Sequence, residues 1–237
     1  MNCNSIKNIS LIFTENPIAR AYLYLLIKKD LINNKIIYLD HKSYFWKFFC
    51  KLKFNLFFSK TLRYLKSKEI LTFIKNVEEY FELDEKFLIE MYKFENLFTF
   101  KNLEFAKSSD INNKQNVDYF KNLNEFNFLN SSNKILKNIF DSDKQFFHIH
   151  PGYMFKVRGA DGTLNSIKHY NKIGATLFLM DKKIDNGNIL KRYESEFNKI
   201  YFPKNSKFDS KDLYNIWFSF FDPALRVSCF NKALNEH

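Results

Sequence analysis

Glycine is scarce in this chain of 237 residues. There are five glycines, and all of them fall between residues 152 and 187. Glycine is used where the backbone needs a positive φ or where another group must approach it closely. Two histidines, His148 and His150, come directly before this region. The concentration of glycine beside them predicts that the functional site lies there.

Cysteine is also scarce. Cys3, Cys50 and Cys229 are odd in number and widely scattered, which argues against a disulfide framework and against a zinc cluster. Residues 1–10 lack the basic flank and apolar run of a secretory signal. No run of about 18 apolar residues is present to span a membrane. We therefore expect a cytoplasmic protein.

Acidic residues are few in one part of the chain. The formal net charge is +11, and residues 42–75 hold nine Lys or Arg against a single acid, Glu69. Such a segment favours phosphate-bearing partners or an anionic surface. Within it, "YFWKFFCKLKFNLFF" has apolar residues at helical spacing. That stretch is interpreted either as an amphipathic helix packed on a sheet or as a basic surface for nucleotide phosphates or anionic lipid.

The opening of the chain has the pattern of a strand, a helix and a second strand. The apolar run Ile9–Phe13, the helical segment Pro17–Ile32 and the β-rich run Lys35–Leu39 are joined by short links. This order predicts the start of a parallel α/β sheet. The turn "TENPIA" contains no glycine that would let a pyrophosphate approach, so an NAD site is not expected.

The rest of the chain continues this alternation. Further strands are predicted at Leu103–Ala106, Phe126–Asn130, Phe146–Ile149, Ala175–Met180 and Asn188–Tyr193. Helices are predicted around 72–93, 116–124, 133–140, 162–171, Asp212–Phe221 and Pro223–Leu234. We expect an open, mostly parallel twisted sheet flanked by helices, Rossmann-like, in residues 1–193. Residues 194–237 are expected to form a short C-terminal helical tail that packs on the domain or makes a homodimer contact.

The two histidines lie at the end of a short apolar strand, Phe146–Ile149. Proline cannot continue a central ladder, so the strand is predicted to stop at His150, before Pro151. Side chains two apart in a strand share a face, so His148 and His150 are expected side by side at a carboxyl strand end. Further along, "MDKKIDNGNIL" offers Asp181 and Asp185 before an Asn-Gly turn.

Three interpretations of this group are open. The histidines are ordinary buried residues and the turns only connect strands. Alternatively, His-x-His and an aspartate bind zinc or iron, although no further ligand is evident. In the third interpretation one histidine transfers protons while an aspartate orients it and favours its charged form.

Several motifs at fixed spacing then resemble the folate-dependent formyltransferases, over roughly residues 126–193. They are His150-Pro151-Gly152, Arg158-Gly159, Met180-Asp181 and Ile184–Leu190. The resemblance implies transfer of a formyl group from 10-formyltetrahydrofolate to a primary amine, without a metal. It assigns His150 as the catalytic histidine and Asp185 as the catalytic aspartate.

The sequence departs from the family pattern at a catalytic position. His148 stands where the family has an asparagine that donates a hydrogen bond to the oxyanion of the reaction. An imidazole N–H can also donate, so His148 is predicted to be a third catalytic residue. The substitution leaves two possibilities, a working variant or a degenerate domain that binds folate or a partner without chemistry.

The resemblance also assigns binding contacts. Those to the folate donor are Asp181, Ile184 and Gly187, with a structural turn as the alternative role of Asp181. The acceptor is expected to contact Tyr153, Arg158 and Gly159, because the loop that holds them mixes aromatic, basic and small residues that suit a sugar beside a phosphate. Among the family's acceptors, a nucleotide-linked amino sugar of surface glycan synthesis is expected. A tRNA acceptor is disfavoured because the chain is too short for a nucleic-acid domain, and glycinamide ribonucleotide because those enzymes match "MDKKIDNG" less well.

Overall fold

Seven strands make up the sheet in the computed structural model. The model describes residues 8–31, 34–39, 59–93, 100–154, 156–157, 159, 161–197, 200–203 and 208–236. The strands are β1 (Ile9–Phe13), β2 (Ile36–Tyr38), β3 (Leu103–Phe105), β4 (Asn127–Asn130), β5 (Gln145–Pro151), β6 (Lys172–Met180) and β7 (Gly187–Glu196).

The strand order is β3-β2-β1-β4-β5-β6-β7. From β3 to β5 every neighbouring pair is parallel, whereas β6 is antiparallel to both β5 and β7. The chain first proceeds outward from β1 through β2 to β3, then crosses to the other side of β1 at β4. Such a reversal opens a crevice at the carboxyl ends of the strands, where α/β proteins bind ligands. The predicted mostly parallel sheet with flanking helices is confirmed.

Eight α-helices surround the sheet in the described part of the chain. They are α1 (Pro17–Lys28), α2 (Ser59–Tyr64), α3 (Lys68–Tyr80), α4 (Phe87–Lys93), α5 (Lys114–Lys121), α6 (Gly162–Tyr170), α7 (Ser210–Ile216) and α8 (Asp222–Asn235). Helix α1 begins where the Asn16 side chain accepts the Ala19 N–H, and Pro17 occupies the first turn. None of the described helices is long and apolar enough to cross a membrane.

Buried apolar side chains form one core on each face of the sheet. The larger core joins α1, α3, α4 and α8 to the sheet and includes Leu129, Phe147 and Phe230. The smaller core lies under α5 and includes Phe120, Phe128 and Phe146. Helix α8 packs on β5, β6 and β7, and most of its residues are buried. The C-terminal helix therefore completes the main core.

Two helix predictions were wrong. The segment 72–93 is two helices, because Glu82 and Lys86 adopt positive φ between α3 and α4. The segment 133–140 is not an α-helix; a 3₁₀ turn covers Asn138–Ser142. The helix predicted at Pro223–Leu234 is present as α8, and a π-helical turn, Trp217–Phe221, runs directly into it. A widened turn before Pro223 accommodates its missing N–H without ending the helix.

The end of β5 also differs from the prediction, since the strand continues through Pro151. Pro151 pairs with Ala175 of β6, and the Gly152 N–H donates to the Gly174 carbonyl at 2.7 Å. Hydrogen-bonded positions alternate in an antiparallel pair, so the missing N–H of Pro151 faces away from β6. On that side the pairing with β4 has already ended at Phe147. The proline therefore removes no ladder hydrogen bond.

Candidate functional site

A cavity of about 510 Å³ opens at the carboxyl ends of the strands. Its wall includes the end of β4, both histidines of β5, the β6–β7 turn and one buried arginine of α8. Ile18 at the start of α1 also lines it, so the cavity lies at the point where the strand order reverses. The fold thus brings His148, His150, Asp181 and Asp185 together, as the sequence predicted for strand ends.

His150 is buried, with 3 % of its surface exposed. Its Nδ1 lies 3.5 Å from Asp185 Oδ1, and its Nε2 lies 3.2 Å from the carbonyl oxygen of Val157. Both neighbours are acceptors, so only the imidazolium form offers a proton to each. Burial nevertheless lowers the pKa of His150, against the opposing effect of the Asp185 carboxylate. The ring is held neutral beside a group that stabilises its protonated form, which suits proton transfer.

Asp185 is positioned by the turn between β6 and β7. Its backbone has φ 46°, an uncommon conformation for a residue other than glycine. Its second carboxylate oxygen, Oδ2, accepts the Gly159 N–H at 2.7 Å, so Asp185 joins the loop after β5 to His150. Gly187 closes the same turn with φ 132°, and an added Cβ would lie 1.9 Å from the Leu179 carbonyl oxygen. Glycine is required there by the backbone.

His148 has a different environment from His150. Its Nδ1 lies 3.2 Å from the Asn130 carbonyl oxygen, and its ring meets Phe178 edge-on at 5.9 Å between centroids. Burial, reinforced by the positive charge of Arg226, lowers the pKa of His148 to about 3. His148 is therefore neutral at physiological pH, and its N–H is directed at the neighbouring strand.

Arg226 is a site residue that the sequence did not reveal. It is buried on α8, where its Nε pairs with Asp222 Oδ2 at 3.0 Å. Its Nη1 donates to the Ile149 carbonyl at 2.6 Å, between the two histidines. The guanidinium fixes the end of β5 and contributes to lowering the pKa of both histidines. The only sequence signal was the spacing of Asp222 and Arg226, one helical turn apart.

Asn130 and Ser132, at the end of β4, were also missed. Asn130 Oδ1 accepts the Ser132 N–H at 3.0 Å and the Ser132 hydroxyl at 2.7 Å. Both residues line the cavity and are buried. A run of polar residues directly after an apolar strand, "FLNSSN", was the signal that would have found them.

The predicted donor contacts lie on the β6–β7 turn. Asp181 accepts the Lys183 N–H at 2.8 Å and also binds the Asn186 side chain, so it stabilises the turn. Asp181 lines the cavity, and Ile184 stands at its rim with 62 % of its surface exposed. Gly187 is not among the residues that line the cavity.

Of the three residues predicted to contact the acceptor, the structure places one on the wall of the cavity. Gly159 lines the cavity, whereas Arg158 lies outside the described residues. Tyr153 faces a second cavity of about 120 Å³, where Lys156 and Arg192 lie 5.4 and 5.1 Å from its ring centroid. The structure therefore does not bring Tyr153 to the two histidines.

Two other hypotheses concern metal and charge. Among the described residues no group of three His, Cys, Asp or Glu side chains is arranged to hold a metal ion. Residues 42–58 of the basic segment, including its aromatic stretch, lie outside the described residues. In its described remainder Lys60 pairs with Asp212 at 2.9 Å and Lys75 with Glu79 at 3.6 Å. None of the described residues 59–75 lines the cavity.

The order and direction of the strands are those of a formyltransferase-like fold. Comparison with solved structures agrees. Phosphoribosylglycinamide formyltransferase from Streptococcus pneumoniae TIGR4 matches with a TM-score of 0.51 and 10 % identity, over 96 % of this chain and 99 % of that chain. The same enzyme from Anaplasma phagocytophilum matches with a TM-score of 0.50 and 13 % identity, over 95 % and 83 %.

A sugar N-formyltransferase from a Shewanella species matches with a TM-score of 0.48 and 13 % identity, over 96 % of this chain and 70 % of that chain. No protein-family model and no curated protein matches this sequence. The structural likeness at such low identity establishes the fold, and the chemistry has to be argued from the site.

Proposed function

We propose that this protein is an N-formyltransferase that moves a formyl group from 10-formyltetrahydrofolate to a primary amine. The observation that carries the proposal is the buried His150, 3.5 Å from Asp185, on the wall of the cavity in a formyltransferase-like fold. A neutral histidine beside a carboxylate is the arrangement that proton transfer needs near neutral pH.

The reaction requires one bond exchange and one proton transfer. The amine nitrogen bonds to the formyl carbon, and the bond from that carbon to the nitrogen of the donor breaks. One proton leaves the amine and reaches the departing nitrogen, so atoms and charges balance. His150 carries that proton, and Asp185 stabilises the imidazolium while it exists.

The cavity has the properties that a folate donor requires. Its volume falls within the range of about 300–1,000 Å³ that small-molecule sites occupy. Leu136, Met180 and Ile184 supply apolar wall, and Asp181 lines the same cavity. These residues would hold the donor, which supplies the activated formyl carbon when bound.

For the acceptor we propose a primary amine on a nucleotide-linked sugar. Two exposed lysines, Lys134 and Lys183, line the cavity and would attract the phosphates of such a molecule. Gly159 presents backbone rather than a side chain beside Asp185, which allows a sugar ring to approach closely.

The test is direct assay of the purified protein with 10-formyltetrahydrofolate and a panel of amines. The panel holds nucleotide-linked 3- and 4-amino sugars, glycinamide ribonucleotide and initiator Met-tRNA. We expect formylation of an amino sugar, detected by mass spectrometry, and none with the His150→Ala variant.

Formylation of glycinamide ribonucleotide or Met-tRNA alone would overturn the sugar assignment and keep the transferase. Folate binding by calorimetry without turnover on any amine would indicate the degenerate binding domain instead. The His150→Ala variant distinguishes the reaction of this site from a contaminating transferase.

A further inference from the structure

Strand β4 places a polar residue, Asn130, beside His148. In the β4–β5 pair Leu129 is in register with Phe147, so the next positions, Asn130 and His148, stand side by side. Neighbouring strands lie about 4.8 Å apart, and side chains in register share a face. Both residues line the cavity. An amide of β4 therefore lies beside the position at which the family has its asparagine.

The hydrogen bond of His148 determines which of its nitrogens carries the proton. The Asn130 carbonyl oxygen can only accept, so His148 Nδ1 must donate across the 3.2 Å between them. In a neutral imidazole the other nitrogen, Nε2, is then an acceptor. His148 consequently has no N–H left to offer a developing negative charge.

The Asn130 side chain has the opposite arrangement. Its Oδ1 accepts a backbone N–H and a hydroxyl from Ser132, and the backbone N–H fixes which end of the amide is oxygen. Its Nδ2, a donor of two protons, has no hydrogen-bond partner among the described residues, although Asn130 is 2 % exposed. An amide whose oxygen is held by two hydrogen bonds and whose nitrogen is unpaired on the wall of a cavity is suited to bind a ligand oxygen.

We propose that Asn130 Nδ2, and not His148, donates a hydrogen bond to the formyl oxygen as negative charge develops on it. His148 acts as a positioning residue that holds the Asn130 backbone through its carbonyl. This assignment rests on the proposed formyl transfer, and it moves the oxyanion donor from β5 to β4.

The kinetic test removes the amide and then relocates it. Loss of one such donor costs on the order of 10²–10³ in kcat, so Asn130→Ala and the isosteric Asn130→Asp should both fall by that factor. Ser132→Ala, which keeps the backbone bond to Oδ1, should fall less than tenfold. The double variant Asn130→Ala/His148→Asn returns an amide to β5 and should recover at least tenfold over Asn130→Ala.

The second measurement needs no turnover. Long-range ¹H–¹⁵N correlation spectra, assigned by comparison with His148→Gln, report which imidazole nitrogen of His148 carries hydrogen in the resting protein. We expect Nδ1–H at pH 7. An Nε2–H tautomer, or a loss below threefold in Asn130→Ala, overturns the proposal.

The two assays separate this inference from the proposed function. If wild-type protein formylates an amine and Asn130→Ala does so almost equally well, only the donor assignment fails. If wild-type protein formylates nothing in the panel, the proposed function fails and the catalytic role of Asn130 fails with it.

Discussion

At the scale of single residues, His150 and His148 show how position decides chemistry within three residues of one strand. His150 faces two hydrogen-bond acceptors, Asp185 and the Val157 carbonyl, which can each accept a proton of the imidazolium. Burial lowers the pKa of His150, and the Asp185 carboxylate acts in the opposite direction. His148 faces one carbonyl and the charge of Arg226, so burial leaves it neutral. The first is suited to carry a proton and the second is not.

Asp185→Asn tests the first of these roles. The amide still offers an oxygen to the Gly159 N–H, so we expect the fold and the melting temperature to change little. It cannot stabilise the His150 imidazolium, so kcat should fall by about 10²–10⁴, the usual contribution of acid–base catalysis. Steady-state assay with the accepted amine is the measurement. Asp141→Asn, which removes only an exposed ion pair with Lys182, is the matched control.

His148 makes stability depend on pH in a definite direction. Its folded pKa of about 3 lies below the usual 6.5, so below pH 6.5 the unfolded chain binds a proton that the folded protein does not. The stability it contributes is present above pH 6.5 and is lost as pH falls towards 3. At pH 5 the loss is about 2 kcal/mol, from 1.5 units at about 1.4 kcal/mol each.

Urea titrations at pH 7 and pH 5 measure this effect. The fall in the free energy of unfolding should be about 2 kcal/mol smaller in His148→Asn than in wild type. The same change at the exposed His169, as His169→Asn, should leave the fall unaltered. If the free energy of unfolding falls equally in wild type and in His148→Asn between pH 7 and pH 5, the folded and unfolded states bind protons equally at His148, and the prediction is wrong.

At the scale of elements, the site depends on how closely α6 approaches the end of β5. Gly162 begins α6, and an added Cβ would lie 1.8 Å from the Pro151 carbonyl oxygen and 3.1 Å from His150 Nε2. No side chain fits this contact unless the helix and the strand separate.

Gly162→Ala should therefore destabilise the protein and misplace His150 together. Overpacking of this kind costs roughly 1–3 kcal/mol, or about 2–12 °C in melting temperature, and kcat should fall as well. The control is Gly174→Ala, whose Cβ would meet its nearest neighbour, the Tyr193 carbonyl oxygen, at 3.0 Å. Thermal unfolding and steady-state kinetics of the two variants test this prediction. Smaller losses of melting temperature and kcat in Gly162→Ala than in Gly174→Ala would contradict it.

Most elements could be predicted from local patterns, because the buried strands are short apolar runs that end at polar turns. The strand–helix–strand opening and the β6–β7 turn both follow from such patterns. Arg226 and Asn130 could not be found in this way. Arg226 bonds to Ile149, 77 residues earlier, and Asn130 meets His148 only through the register of two strands. Contacts between distant segments carry no periodic signal in the sequence.

At the scale of the whole molecule, two cores share one sheet, so neither face should unfold alone. Phe120→Ala in the smaller core should cost roughly 3–5 kcal/mol. The same loss should appear in the fluorescence of Trp217, which belongs to the larger core on the opposite face. In a Trp46→Phe background Trp217 is the sole tryptophan. Phe126→Ala, half exposed, is the control, and an unchanged Trp217 midpoint in Phe120→Ala would show that the faces unfold separately.

The register that places Asn130 beside His148 also bears on how proteins of this kind are recognised. Side chains at paired positions of two adjacent parallel strands lie about 5 Å apart on the same face, so either strand can supply a required functional group. A sequence signature that requires an asparagine on the strand of the two histidines considers only one of these two strands. On the assignment proposed above, this chain carries the amide eighteen residues before His148, at Asn130, where such a signature does not look for it.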